Sequence, residues 1–265
     1  MNKIKEIIRK EWSEVFKNKI VFVAVAFLPL LFTAIPLFIL NGIERSGDMG
    51  GAFGETSGIP SDFAAVCSGL SGLDCAQFFI VSQFIMLFLM LPVIIPVTIA
   101  SYSIVGEKTT RTLEPLLATP ITTIELIAGK ALAAVIPALV ATWGAFLIFS
   151  GGSYLITHSS AISEILLSPM WLMAIFLLGP LLSTAAVCAA MMVSSRVNDP
   201  RMAEQLSALV IIPIVVLFMG QSFGMIQITQ TVIIWFTLIL MCIDAALLYF
   251  ATRLFERETI LTRWK

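Results

Sequence analysis

Six long apolar runs decide what this chain can become. They lie at about 20–40, 77–104, 126–149, 169–193, 206–225 and 231–252. An α-helix needs about 20 mostly apolar residues to cross a bilayer, and each run is long enough. The hydrocarbon core holds no water to bond stray backbone groups, so such runs must fold as helices. Only 12% of the 265 residues are charged and 58% are hydrophobic, whereas soluble domains carry about 25% charged residues. A water-soluble fold of this length has no interior large enough to hide that surface. The expected fold is all-α and integral to the membrane. It divides into an amphipathic interface helix (1–19), six transmembrane helices (20–252) and a short tail (253–265). The fifth run is the least clean, because Gly220, Gln221 and Ser222 dilute its end. The second is long enough to continue past the bilayer into water.

Orientation follows from the basic residues, which favour the cytoplasmic side. Of the 16 Lys and Arg, all but Arg45 fall before the first run, near the second-to-third and fourth-to-fifth connections, or in the tail. Both termini are therefore expected in the cytoplasm, in a cytoplasmic (inner) membrane. The outer loop at 41–76 is acidic, rich in Gly and Ser, and contains Cys67 and Cys75. If it faces an oxidising compartment the two can form a disulfide; two free thiols are the alternative. Cys188 and Cys242 lie in apolar runs and read as small core residues. The first residues are too long and too charged before the apolar run for a secretory signal.

Within residues 1–19, Ile4, Ile7, Ile8, Trp12, Val15 and Phe16 recur at helical spacing and share one face. Lys, Arg and Glu occupy the other. Such a helix lies in the membrane interface, with Trp12 at headgroup depth, or packs its apolar face on protein, and the two can hold at once. Proline recurs inside the runs, where it removes a backbone hydrogen bond and kinks a helix. Pro92 and Pro96 are the hinge candidates.

The most informative polar stretch is residues 106–120, GEKTTRTLEPLLATP. Glu107 and Arg111 stand at i,i+4 in the favourable order, so the second helix can run on through about Glu114. Pro115 disrupts it and suits the first position of a short helix bearing Leu116 and Leu117, which Pro120 ends. Thr122 and Glu125 have capping-box spacing, which starts the third helix. The product is a helical elbow whose apolar tip is ringed by Glu107, Arg111 and Glu114, an interface in miniature. A loop docked on its own protein is the alternative.

The same run, from Gly106-Glu107-Lys108 through Arg111-Thr112-Leu113-Glu114-Pro115-Leu116-Leu117-Ala118-Thr119-Pro120 to Glu125 and Gly129-Lys130, resembles the signature of the ABC-2 type transporter permeases. The amphipathic first helix, the six spans and the length fit as well, so the resemblance covers essentially the whole chain. Arg111 replaces a Gly common just before the Thr-Leu-Glu. The resemblance implies an exporter subunit whose elbow is a coupling helix seated on a separate ATPase subunit. Glu107, Arg111, Leu113, Glu114, Leu116, Leu117 and Pro120 would carry that contact. Asp199, Arg201 and Glu204 would form a smaller second one in SSRVNDPRMAEQ, where Asp199 is placed to cap a helix beginning at Pro200. ATP and Mg would bind the partner, and a second permease copy, identical or closely related, would complete the assembly. A channel-like subunit that only transmits ATPase motion is the alternative function.

Other chemistry is poorly supported by these residues. No G-x-x-x-x-G-K-[ST] phosphate loop occurs. The single histidine, His158, argues against triads and histidine metal sites, and a net charge of −1 gives no nucleic-acid footprint. Asp244 is the one carboxylate clearly inside a span. It reads either as a substrate- or cation-contacting group or as an interhelical tie, with Lys130 as partner. An intramembrane enzyme would need paired carboxylates, an activated serine or metal ligands in the spans.

Overall fold

The computed structural model describes residues 2–17, 19–46, 72–109, 122–226 and 228–254, and contains helices and no strand among them. The elements are α1 (Asn2–Val15), α2 (Lys19–Ser46), α3 (Gly72–Phe88), α4 (Leu91–Thr109), α5 (Thr123–Thr157), α6 (Ser160–Leu166), α7 (Pro169–Met173), α8 (Gly179–Ser194), α9 (Pro200–Ser207), α10 (Ile212–Ser222) and α11 (Gln230–Leu254). A π turn, Ala174–Leu178, joins α7 to α8, and a 3-10 turn, Ala208–Ile211, joins α9 to α10. Among the described residues, six helical stretches are long and apolar enough to cross a membrane: Val21–Arg45, Asp74–Lys108, Ile124–Thr157, Ile162–Ser194, Pro200–Ser222 and Gln230–Arg253. They match the six runs. The second is the longest and passes beyond bilayer length, while the fourth and fifth start earlier than the apolar runs suggest.

The second span is the axis of the bundle. Its apolar window is 67% buried, against 17% for the fifth span, 22% for the sixth and 24% for the first. Those three therefore form the rim, presenting Phe27, Phe38, Val216, Trp235 and Phe250 outward. The closest-packed pairs are α2 on α5 and α4 on α8. Where the end of α3 meets α5, the rings of Phe88 and Phe149 lie 5.2 Å apart and those of Phe88 and Phe146 6.3 Å, all fully or almost fully buried.

Proline shapes the spans through the carbonyl it leaves without a donor four residues earlier. Pro96 frees the carbonyl of Pro92, and the buried Ser183 hydroxyl of α8 donates to it at 2.7 Å. Pro137 frees the carbonyl of Ala133, and the Trp12 indole N–H of α1 donates to it at 2.9 Å. At Pro180 the chain widens instead: Gly179 N–H reaches back five residues to Ala174, and the Trp143 indole N–H of α5 donates to Ile175 at 3.3 Å. Pro213 frees Leu209, whose carbonyl accepts from Ile212 in the 3-10 turn. A buried polar group left unsatisfied costs about 1–3 kcal/mol, so each donor relieves a penalty that its proline creates. The hinge expected at Pro92 and Pro96 coincides with a break: α3 ends at Phe88, Leu89 and Met90 turn, and α4 restarts at Leu91.

Candidate functional site

The arms of the elbow are α4 and α5. Residues 110–121 lie outside the described residues, and with them Arg111, Leu113, Glu114, Leu116, Leu117 and Pro120. At the start of α5 the capping box forms as its spacing demands. Thr122 accepts from Glu125 N–H at 3.2 Å, and the Glu125 carboxylate accepts from Thr122 N–H at 2.8 Å. Glu125 also lies 3.8 Å from Lys3 of α1.

Glu107, expected on the charged rim of the elbow tip, is buried. It is 4% exposed and faces the seam where α1, α4 and α5 meet. Its two oxygens each lie 2.8 Å from an ammonium, Lys10 of α1 and Lys130 of α5. Lys130 in turn pairs with Glu11 of α1 at 2.6 Å, and hydrogen-bonds Ser103 of α4 at 3.0 Å. Ser103 donates to the other Glu11 oxygen. Two carboxylates and two ammoniums thus form a quartet, with Glu11 and Lys130 only 3% and 8% exposed, while the half-exposed Lys10 also lies 3.8 Å from Glu14 of α1. Ser103 and Glu107 share a face of α4 because they stand at i,i+4. Burial alone would pull the Lys10 ammonium down, but the hydrogen bond and charge of Glu107 outweigh it and hold its pKa above the ordinary lysine value.

Apolar contacts close the same seam. Ile7 and Val15 of α1 are buried. Ile7 lies so close to Gly129 that a Cβ there would meet its Cγ2 at 2.8 Å. Trp12, expected at headgroup depth, turns its indole N–H into the Pro137 notch of α5. Ile7, Val15 and the Trp12 indole N–H are therefore committed to protein, while Phe16 at the end of the same face is exposed. The sequence held a signal for the quartet. Glu11 stands four residues after Ile7 and four before Val15, inside the apolar stripe, where a carboxylate requires a buried partner.

The second connection joins the same assembly. Lys108 donates to the carbonyls of Ser195 and Val197 at 3.2 and 3.3 Å. Asp199 caps α9 by accepting from Arg201 N–H at 2.9 Å, with Pro200 at the first helical position. Glu204 is turned inward, accepting from Thr98 of α4 at 2.6 Å. Of the three residues expected at a second contact, Arg201 is exposed and makes no side-chain bond of this kind among the described residues.

Lys130 is not the partner of Asp244, because Glu11 and Glu107 hold it. Asp244 is 4% exposed, and neither carboxyl oxygen has a hydrogen-bond partner among the described residues. Cys75 is disulfide-bonded, Cys67 lies outside the described residues, and Cys188 and Cys242 are free. Among the described residues, no three His, Cys, Asp or Glu side chains are grouped to hold a metal ion.

A family model described as ABC-2 family transporter protein matches residues 6–257. That span takes in all six helices, both arms of the elbow and the quartet, and the chain belongs to this family. It is a multi-pass membrane protein and a permease subunit of an ABC transporter, and its family implies an ABC ATPase partner. No curated protein matches the chain.

Proposed function

We propose that this permease is the membrane half of an exporter, driven by a separate ATPase subunit that binds ATP and Mg and presses on the elbow between α4 and α5. Two copies, identical or closely related, work with two ATPases, and both termini face the cytoplasm. One observation supports this most. The two arms of the elbow are braced against α1 by a largely buried charge quartet and by the Ile7–Gly129 and Trp12–Ala133 contacts. A push at the tip then moves three helices together instead of bending a loose loop. The basic side chains cluster at that same end, which fits a cytoplasmic elbow. Leu116 and Leu117 supply the apolar centre of the contact, with Arg111 and Glu114 beside them and Leu113 and Pro120 shaping the turn. Glu107 acts from behind, as part of the brace.

The test is co-purification and coupling. The permease should bring down an ATPase and stimulate it, and Leu117→Asp or Glu114→Lys should abolish stimulation while the permease still inserts and folds. Full coupling in both variants would overturn the docking role. ATP-dependent flux in vesicles separates an exporter from a subunit that only transmits motion.

A further inference from the structure

Asp244 occupies the buried stripe of the sixth span, with Ile233, Thr237, Leu240 and Ala251. The spacing is one helical face; α11 packs on α8, and Cys188 of α8 lies within electrostatic reach of Asp244, which turns this face toward α8. Met241, Ile243 and Leu248 on the other faces are exposed. The carboxyl group is thus turned into the subunit, away from lipid. It is covered, so a second copy of the chain cannot supply its counter-charge without first separating α11 from α8.

Each neighbouring element can be asked for a partner. From α8 the sole titratable group is Cys188, fully buried and within electrostatic reach of Asp244. The π turn and α7 contain no titratable residue. On α5 the candidates are Glu125, Lys130 and Tyr154, and Lys130 is committed to Glu11 and Glu107. On α11 itself, Cys242 is exposed, and Tyr249 and Arg253 lie toward the basic end, where Arg253 sits 5.5 Å over the Tyr249 ring. Arg253 is nine residues from Asp244, about 13 Å along the helix. Neither carboxyl oxygen accepts a hydrogen bond from any described residue.

An ionised carboxylate buried without a partner in an apolar seam is too costly to persist; it must bind a cation or neutralise. A metal ion needs several oxygen ligands, and one carboxyl group beside a thiol does not provide them. We infer that Asp244 is a proton-binding site: in this packed arrangement of α8 and α11 it is the neutral acid, and it becomes a carboxylate only when the two helices part and water reaches it. Separation of the sixth span from the fourth is then linked to release of one proton from one oxygen, so acid favours the packed arrangement. The site stands on this chain alone and does not depend on how the elbow is driven.

The test uses the full-length chain in phosphatidylcholine vesicles, without an ATPase. Dicyclohexylcarbodiimide, which is lipophilic and attacks protonated carboxyl groups, is added from mildly acid to alkaline pH, and adducts are mapped by proteolysis and mass spectrometry. The expected result is an adduct on Asp244 that falls up to about tenfold per pH unit once the acid ionises. It should be absent in Asp244→Asn, much weaker with a water-soluble carbodiimide, and indifferent to sodium or potassium. Asp244→Asn should also melt with the wild type, since one neutral group replaces another. Three results would each overturn the inference: no adduct on Asp244 at any pH, protection by sodium or potassium, or equal labelling by the water-soluble reagent. Loss of ATPase stimulation in the elbow variants, with this labelling intact, would bear on coupling alone.

Discussion

Two buried charge sites lie in one subunit and are resolved in opposite ways. At the seam of α1, α4 and α5, Glu11, Glu107, Lys10 and Lys130 satisfy one another through contacts of 2.6–2.8 Å. At the seam of α8 and α11, Asp244 is as little exposed as Glu107 and has no such company. Burial is therefore not what separates them. The quartet is a set of mutually paired charges, suited to hold three helices in one geometry. The lone acid gains nothing by staying charged where it is, and is suited to change state when its surroundings change. A brace and a titratable site can be distinguished by whether opposite charge is within reach.

Removing one member should cost much in the first site and little in the second. Lys130→Met leaves Glu11 without a cation and Glu107 with Lys10 alone. Breaking a buried pair in this way costs about 3–5 kcal/mol, and a large fall in melting temperature in detergent, or loss of the folded fraction on size exclusion, would register it. If Lys130→Met melts with the wild type, the seam is wet and the comparison fails. Next in size is Gly129→Ala, whose new methyl group meets Ile7. Overpacking of this kind costs about 1–3 kcal/mol, and it should loosen α1 from α5, read as faster hydrogen exchange across α1. Ser183→Ala leaves the Pro92 carbonyl without its donor, for about 1–3 kcal/mol measured by the same thermal melts. Smallest is Asp244→Asn, expected within about 1 kcal/mol of wild type. A large destabilisation there would mean that the carboxylate is a structural tie after all, and would erase the contrast.

The spans were legible because apolar length is a local property, and so were the caps. Thr122 with Glu125, and Asp199 with Pro200, act within three residues of each other. The charged seam was not. Glu107 has a plausible mate four residues on at Arg111, and that local rule hides partners 97 and 23 positions away, Lys10 and Lys130. The pairing of Asp244 with Lys130 failed for a related reason. Being on the same side of the membrane makes a contact feasible, but Glu11, Glu107 and Ser103 surround the Lys130 ammonium and take its three donors. Only the place of Glu11 within an apolar stripe pointed to the seam, and a stripe read for its hydrophobic members passes over such a residue.

The filled proline notches have a mechanical consequence. Trp12 of α1 plugs α5, Trp143 of α5 plugs the fourth span, and Ser183 of the fourth span plugs the second. Each helix is keyed to the next like a shaft in its slot, so none of the four can spin or slide without withdrawing a donor from a starved carbonyl. Whatever travels through this bundle must then travel as the swing of a linked train, and the cheapest place for the train to part from its neighbours is along helices that have no key.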